Sequence, residues 1–219
     1  MSLSDDLANM RTTAVERIPA DKFAVMQANI EGLRKSGITN SMLKKGARAP
    51  EIKLGNARGE TIDLTNLLKN GPVIVNFYRG GWCPYCNLEL RAYQKLLPEI
   101  TSAGASLVAI SPERPDASLS TAEKNELTFE VLSDVGQKVG RAFGLVYDLS
   151  DELNAIYKGF GNDLSTVNDT PGEWALPVPA TYVIGRDGTI LYANADVDYQ
   201  YRADPAEVLT VLKEAAKAA

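Results

Sequence analysis

The chain has 219 residues, 45% of them apolar and 23% charged, a composition typical of one globular core with some decoration. Its net charge of -5, with lysines and arginines scattered along the chain, argues against nucleic-acid partners and anionic membranes. No apolar stretch reaches the roughly 18 residues that a membrane span needs, and the segment Met1–Arg11 lacks an apolar signal core. We therefore expect a cytoplasmic protein.

Residues 1–45 are predicted to form a helical extension, because their apolar residues recur at spacings of three to five. These residues are Ile18, Phe23, Met26, Ile30 and Leu33. The segment Gly46–Pro50 breaks this pattern, and the apolar residues on either side of a turn at 56–60 predict a short β-hairpin. Residues 46–219 are predicted to form the main domain.

The β-branched and aromatic run Val73–Tyr78 predicts a buried central strand. Pro84 suits the first position of a helix, and apolar residues continue from there at helical spacing. The pair Cys83 and Cys86 is therefore expected at the beginning of a helix, with Cys83 as its N-cap.

Strands and helices alternate through the rest of the chain. Strands are predicted at 105–111 and 128–132, and helices at 118–125 and 135–143. The residues 181–184 and 189–192 flank Asp187-Gly188 and predict an antiparallel hairpin. The Gly159–Pro179 segment is the longest irregular stretch, and a last helix is expected after Asp204 as its N-cap.

The cysteine and histidine counts restrict the chemistry. The chain has two cysteines, three positions apart, and no histidine. Because no imidazole is available, Ser-His-Asp and Cys-His nucleophile schemes are excluded, and a structural zinc site would lack ligands. We expect neither a metal nor another cofactor.

A helix N-terminus favours a thiolate, because its unpaired amides and its dipole lower the pKa of a cysteine. Cys83 is then a candidate nucleophile, and Cys86, one turn on, is close enough to resolve a mixed disulfide. A structural disulfide, two buried structural thiols and half of a zinc site are the alternatives. Trp82 either presents an apolar surface beside the thiol or simply fills the core.

The segment Asn76–Cys86 resembles the active-site segment of thioredoxin-fold proteins. The segments Gly46–Ile52, Leu132–Asp134 and Ala142–Leu145 resemble the peroxiredoxin-like branch of the alkyl hydroperoxide reductase and thiol-specific antioxidant (AhpC/TSA) family. The resemblance covers about Gly46 to Lys213. It implies an α/β, thioredoxin-like fold with a central mixed β-sheet flanked by helices, here preceded by the helical extension and the hairpin.

The resemblance admits two registers for the dithiol. In the thioredoxin register, Cys83 is the nucleophile and Cys86 the resolving thiol. In the peroxiredoxin register, Cys86 attacks the peroxide, and Glu89 matches the acid that often follows the attacking cysteine. Arg79 and Cys83 then replace the family's proline and its peroxide-binding hydroxyl residue.

Peroxiredoxins usually place an arginine at the position of Pro179, whereas thioredoxins place a cis-proline there. We predict a cis bond between Val178 and Pro179, which would turn the Val178 backbone toward the dithiol to pair with an extended substrate. Pro177 is the competing site, and an ordinary proline before an edge strand is the alternative. Arg79 and Arg202 are candidates for the missing positive charge, although surface ion pairing would explain either.

The resemblance implies a thiol-dependent antioxidant enzyme that reduces hydroperoxides through a Cys83–Cys86 disulfide cycle. Thioredoxin or glutathione would be its reductant, and a homodimer is expected because related proteins often dimerise. A protein dithiol-disulfide oxidoreductase without peroxidase activity, with Cys83 as nucleophile, is the main alternative. A redox-sensing module that acts through the helical extension is a third hypothesis.

Overall fold

The structure, a computed structural model, describes residues 2–217, and the side chains of residues 2–215. The helices of this part of the chain are α1 (Leu3–Arg17), α2 (Ala20–Ser36), α3 (Ile38–Ser41), α4 (Leu64–Leu68), α5 (Pro84–Ser102), α6 (Pro115–Lys124), α7 (Lys138–Ala142), α8 (Asp151–Gly159), α9 (Leu164–Val167) and α10 (Pro205–Lys217). The strands are β1 (Lys53–Asn56), β2 (Thr61–Asp63), β3 (Val73–Phe77), β4 (Ser106–Ser111), β5 (Glu130–Ser133), β6 (Val146–Asp148), β7 (Ala175–Pro177), β8 (Ala180–Ile184) and β9 (Ile190–Ala195).

Seven strands form a mixed sheet in the order β2-β1-β5-β4-β3-β8-β9. The three central strands β5, β4 and β3 are parallel, whereas β8 pairs antiparallel with β3 and β1 pairs antiparallel with β5. All five residues of β3 and all five of β8 are buried. The predicted thioredoxin-like fold with a central mixed sheet is confirmed.

Both predicted hairpins are confirmed as antiparallel pairs, β1 with β2 and β8 with β9. The segment 159–179, predicted to be irregular, contains α9 and β7, and β7 pairs with β6 in a separate two-stranded sheet. These elements have three or four residues each, too few for a hydrophobic period to be recognisable. No helix among residues 2–217 has the length and apolarity to cross a membrane.

The extension is helical, as predicted, but it is divided into three helices. Pro19 precedes α2, and Gly37, with φ of 78°, separates α2 from α3. α1 packs against α5, and α2 packs against α8. Leu7 and Ile30 are buried in the same hydrophobic core as the strands. The boundary at residue 45 stays a prediction, but this packing brings the extension to the side of the molecule where α5 begins.

Gly144 lies where the extension meets the main domain. Its φ is 74°, and a Cβ atom at this position would lie 2.0 Å from the carbonyl oxygen of Ser41. Next to it, the amide of Leu43 donates to the carbonyl oxygen of Phe143 at 3.1 Å. The close approach of the two backbones therefore requires glycine.

We expect Gly144→Ala to lower the free energy of unfolding by roughly 3 kcal/mol or more, because backbone strain and a backbone clash add together. Gly136→Ala is the matched control. Its φ is 76° with no atom within 4 Å of the added Cβ, so only the strain, roughly 1–2 kcal/mol, should appear. Urea unfolding of both variants measures the difference, and equal losses would show that the contact with Ser41 contributes nothing.

Candidate active site

The dithiol lies at the beginning of α5, just after the carboxyl end of the central strand β3. Cys83 is the N-cap of α5, and Pro84 is the first helical residue, as predicted. Cys86 lies in the first turn, and both cysteines are free thiols. Cys83 is 1% exposed and Cys86 is fully buried. The helix N-terminus therefore acts on two sulfurs in a dry environment, where charge interactions are strong.

Arg79 is the cation beside Cys83. Its Nη1 atom lies 3.9 Å from the Sγ atom of Cys83, and the arginine is 1% exposed. The guanidinium lies 4.8 Å from the Trp82 ring centroid and 4.1 Å from that of Tyr199. Its Nη2 atom donates a hydrogen bond to the hydroxyl of Tyr157. Cation–π contacts thus compensate for part of the lost hydration.

Among the described side chains, no carboxylate forms an ion pair with Arg79. The aromatic rings hold the guanidinium in place but do not neutralise it. A buried cation without an acidic partner is costly. Of the two ionisable groups beside it, the Tyr157 hydroxyl has a raised pKa and the Cys83 thiol a lowered one, so Cys83 is the group that becomes its anion. The arrangement therefore favours a Cys83 thiolate.

Arg202 is the cation beside Cys86. Its Nη2 atom lies 3.4 Å from the Sγ atom of Cys86, and its Nε atom donates to Glu89 at 2.8 Å in a fully buried ion pair. A further nitrogen donates to the backbone carbonyls of Tyr199 and Tyr201. Because Arg202 already has a carboxylate partner, less of its charge is available to stabilise a second anion.

The two thiols therefore have opposite pKa shifts. Burial alone would raise the pKa of Cys83, but the hydrogen bond from Cys86 and the charges of Arg79 and Arg202 outweigh burial and lower it to about 6. Burial, the hydrogen bond to Cys83 and the Cys83 charge raise the pKa of Cys86. At neutral pH the pair holds one proton, on Cys86, which donates it in a hydrogen bond to the Cys83 thiolate.

Two buried carboxylates support the site. Glu89 accepts from Asn76 at 2.9 Å, and burial raises the pKa of Glu89 to about 7 even though Arg202 opposes the shift. Glu113, at the carboxyl end of β4, accepts from the amide of Gly81 at 2.9 Å, and burial raises its pKa to about 7 as well. Glu113 thus fixes the loop that precedes the dithiol.

Gly80 allows this loop to fold tightly. Its φ is 146°, and a Cβ atom there would lie 2.3 Å from the Nε1 atom of Trp82. Because that space is empty, the indole can fold back against Arg79 and Tyr157, with ring centroids of Trp82 and Tyr157 5.3 Å apart. Trp82 is half-buried, so it packs against the core and also contributes to the surface of the site.

The loop 196–204, which carries Tyr199 and Arg202, is fastened to the helical extension. Arg11 donates to the carbonyl oxygen of Gln200 at 3.1 Å and lies 4.5 Å from the Tyr201 ring centroid. Arg34 pairs with Asp198 at 3.4 Å. The extension therefore holds in place two residues of the dithiol's environment.

A cavity of about 520 Å³ opens in front of Cys83. Its lining residues are Met10, Thr13, Ala14, Arg17, Ile18, Met26, Arg79, Trp82, Cys83, Pro84, Tyr85, Tyr157, Phe160, Asn162 and Tyr199. Cys86 is absent from this lining. A molecule that enters the cavity therefore meets Cys83 first.

The sequence predicts six residues for the site. Arg79, Trp82 and Cys83 line the cavity, whereas Cys86, Val178 and Pro179 are buried and do not line it. The prediction of a cis bond between Val178 and Pro179 is wrong, because this bond is trans. The amide of Val178 donates to the carbonyl oxygen of Leu145 at 2.9 Å and extends the pairing of β6 with β7. The Val178 amide is thus unavailable to an extended substrate.

Sequence reasoning missed Tyr157, Tyr199 and Glu113. They come from α8, from the loop after β9 and from the end of β4, and the chain brings them to the dithiol from positions 30 to 116 residues away in sequence. Only Glu113 had a signal, because residues at the carboxyl ends of parallel strands commonly face the functional site.

Comparison with known proteins agrees with this geometry. A family model described as AhpC/TSA family matches residues 45–193. A chloroplastic peroxiredoxin Q from Triticum aestivum is 28% identical over 80% of this chain and 70% of its own length. A second, from Gentiana triflora, is 29% identical over 69% of this chain and 60% of its own length.

Two solved structures are similar in fold. Peroxidoxin BcpB from Mycobacterium tuberculosis aligns with a TM-score of 0.62 and 23% identity over 78% of this chain and 97% of its own. A cysteine-to-serine mutant of PrxQ from Xylella fastidiosa aligns with a TM-score of 0.63 and 18% identity over 80% of this chain and 98% of its own.

The fold and the dithiol define a thioredoxin-fold thiol oxidoreductase. The family match covers residues 45–193 of the 219, and the chain belongs to the AhpC/TSA family. It is a thiol-dependent peroxidase of the peroxiredoxin type.

Replacing Arg79 tests the electrostatic argument for the thiolate. We expect Arg79→Met to raise the pKa of Cys83 from about 6 to about 7 or higher, because the uncompensated charge is lost. The ultraviolet absorbance of the thiolate, followed against pH, measures this pKa. Below it the thiolate is protonated, so the absorbance of the variant should fall at higher pH than that of the wild type.

Arg141→Met, on the exposed surface of α7, is the control for a general loss of positive charge and should leave the titration unchanged. Arg79→Lys keeps the charge and should preserve part of the lowered pKa. A variant without any cation at position 79 that still titrates near the wild-type midpoint would refute the role of Arg79.

Proposed function

We propose that Cys83 is the thiol that attacks the hydroperoxide and that Cys86 is the thiol that resolves it. The uncompensated charge of Arg79 beside Cys83 is the observation that carries this assignment. The position of Cys83 on the cavity wall, with Cys86 behind it, also supports the assignment. The pairing of Glu89 with Arg202 fits the peroxiredoxin register, but the ionised form of Glu89 also competes with a Cys86 thiolate for the charge of Arg202.

The first step of the proposed cycle is a displacement on oxygen. The Cys83 thiolate attacks the terminal oxygen of ROOH, the O–O bond breaks, and the sulfur is oxidised to sulfenic acid. The leaving RO⁻ takes up a proton and departs as the alcohol. Arg79 can donate a hydrogen bond to the oxygen on which negative charge develops, since its guanidinium lies beside the Cys83 sulfur.

The second step is closure of the disulfide. Cys86 loses its proton and attacks the Cys83 sulfenic acid, the S–O bond breaks, and hydroxide leaves and is protonated to water. Arg202, 3.4 Å from the Cys86 sulfur, can stabilise the Cys86 thiolate as it forms. A dithiol protein such as thioredoxin, or two glutathione molecules, then reduces the disulfide and restores both thiols.

A cytoplasmic setting is part of the proposal. We place the enzyme in the cytoplasm, where thioredoxin and glutathione keep thiols reduced. A homodimer stays a prediction.

Single cysteine variants test which sulfur attacks. With hydrogen peroxide, Cys86→Ser should react within roughly tenfold of the wild-type rate constant and accumulate sulfenic acid at residue 83. Cys83→Ser should lose at least roughly 100-fold, because Cys86 is protonated and sealed from the cavity. Stopped-flow measurement of the intrinsic fluorescence of Trp82 and Trp174 follows the reaction, and dimedone trapping with mass spectrometry locates the sulfenic acid.

Rapid sulfenic acid formation in Cys83→Ser would reverse the assignment and establish the peroxiredoxin register. Insulin reduction by the wild-type protein is a parallel assay. Fast insulin turnover, together with peroxide reactivity no better than that of a free thiolate, would instead establish the disulfide oxidoreductase.

Arg202→Met tests the second step. At about pH 8, where Cys83 is ionised in either protein, we expect sulfenic acid to form normally and the disulfide to close roughly tenfold more slowly. The reason is that loss of the Arg202 charge raises the pKa of Cys86 further. Arg202→Lys retains a charge and should restore part of the rate, whereas a normal closing rate in Arg202→Met would exclude Arg202 from this step.

A further inference from the structure

The helical extension forms one side of the cavity in front of Cys83. Six of the lining residues come from α1, α2 and the turn between them: Met10, Thr13, Ala14, Arg17, Ile18 and Met26. The family model begins at residue 45, so this wall lies outside the part of the chain that defines the family. The cavity therefore carries a feature particular to the extension.

The size of the cavity exceeds what the reacting group requires. A volume of about 520 Å³ lies within the usual range of pockets for organic ligands. Hydrogen peroxide has only two heavy atoms. The remaining space faces apolar side chains, among them Met10, Ile18 and Phe160, and suits an apolar body attached to the peroxide.

The charges on the cavity wall have one sign. Arg79 and Arg17 line it, and no aspartate or glutamate does. Arg79 lies beside the thiolate. Arg17 is exposed at the end of α1, and among the described side chains it has no ion-pair partner. An anionic group on the substrate can pair with Arg17 without displacing another carboxylate.

We propose that the extension recognises amphipathic organic hydroperoxides, with the apolar body packed against α1 and α2 and a carboxylate at Arg17. Hydroperoxides of long-chain fatty acids have this chemistry. The inference rests on the proposed peroxidase cycle and adds no chemical step to it: the terminal peroxide oxygen goes to Cys83 and the fatty-acid alcohol leaves.

Filling the cavity from the extension side tests the proposal. We expect Ala14→Trp to lower the ratio of kcat/KM for linoleic acid hydroperoxide to kcat/KM for hydrogen peroxide by at least tenfold, about 1.4 kcal/mol. Val15→Trp is the matched control. Val15 is the adjacent residue and is 61% exposed, so its substitution should leave both rates unchanged.

Arg17→Glu tests the charged end of the substrate. The variant should lose severalfold in kcat/KM for linoleic acid hydroperoxide and little for the methyl ester of the same hydroperoxide, which carries no carboxylate. Equal losses for acid and ester would refute the pairing with Arg17, and a substrate ratio unchanged in Ala14→Trp would refute the pocket.

Binding measured without turnover keeps the two proposals separate. Linoleic acid, which has no peroxide group, should bind saturably to Cys83→Ser protein, as followed by isothermal titration calorimetry, and Ala14→Trp in the same background should abolish this binding. Binding without peroxide turnover would support the pocket and refute the proposed cycle. Turnover of hydrogen peroxide without binding of linoleic acid would support the cycle and refute the pocket.

Discussion

The structure of the site depends on one unbalanced charge, the buried guanidinium of Arg79. The free-energy cost of burying this charge is reduced by three aromatic rings, those of Trp82, Tyr157 and Tyr199. Aromatic rings stabilise a cation but do not neutralise it. A thiolate at Cys83 completes the compensation. Arg79 acts on the Cys83 sulfur because both groups are buried and close together. An exposed arginine would be screened by water and would have little effect on the pKa of the thiol.

The second arginine shows how neighbouring, similar groups acquire different roles. Arg202 lies closer to a sulfur than Arg79 does, yet the ion pair with Glu89 reduces its influence. The difference between the two thiols therefore comes from burial and from their mutual hydrogen bond, with the charges of the two arginines added to it, and not from proximity to a cation alone. The same logic separates acid and base roles in other enzymes, where chemically identical groups are distinguished by their surroundings.

Local sequence patterns predicted much of the fold and the centre of the site. The run Val73–Tyr78 identified the central strand, Pro84 identified the helix start, and both hairpins had recognisable turns. Three aspects had no local signal. Tyr157 and Tyr199 reach the dithiol through the tertiary fold, the elements β6 and β7 are too short to show a period, and the isomer of the Val178–Pro179 bond depends on the strand pairing around it.

The connection between Arg11 and the loop 196–204 has a consequence for how this family member could be recombined with others. In the sequence, the extension precedes the residues of the dithiol site and contains none of its cysteines. A chimera that joined residues 46–219 to another N-terminal segment would keep both cysteines and the two arginines beside them. It would nevertheless remove the support beneath Tyr199 and Arg202. The residues of the reactive centre thus lie within one continuous part of the sequence, but their positions depend on contacts with the extension.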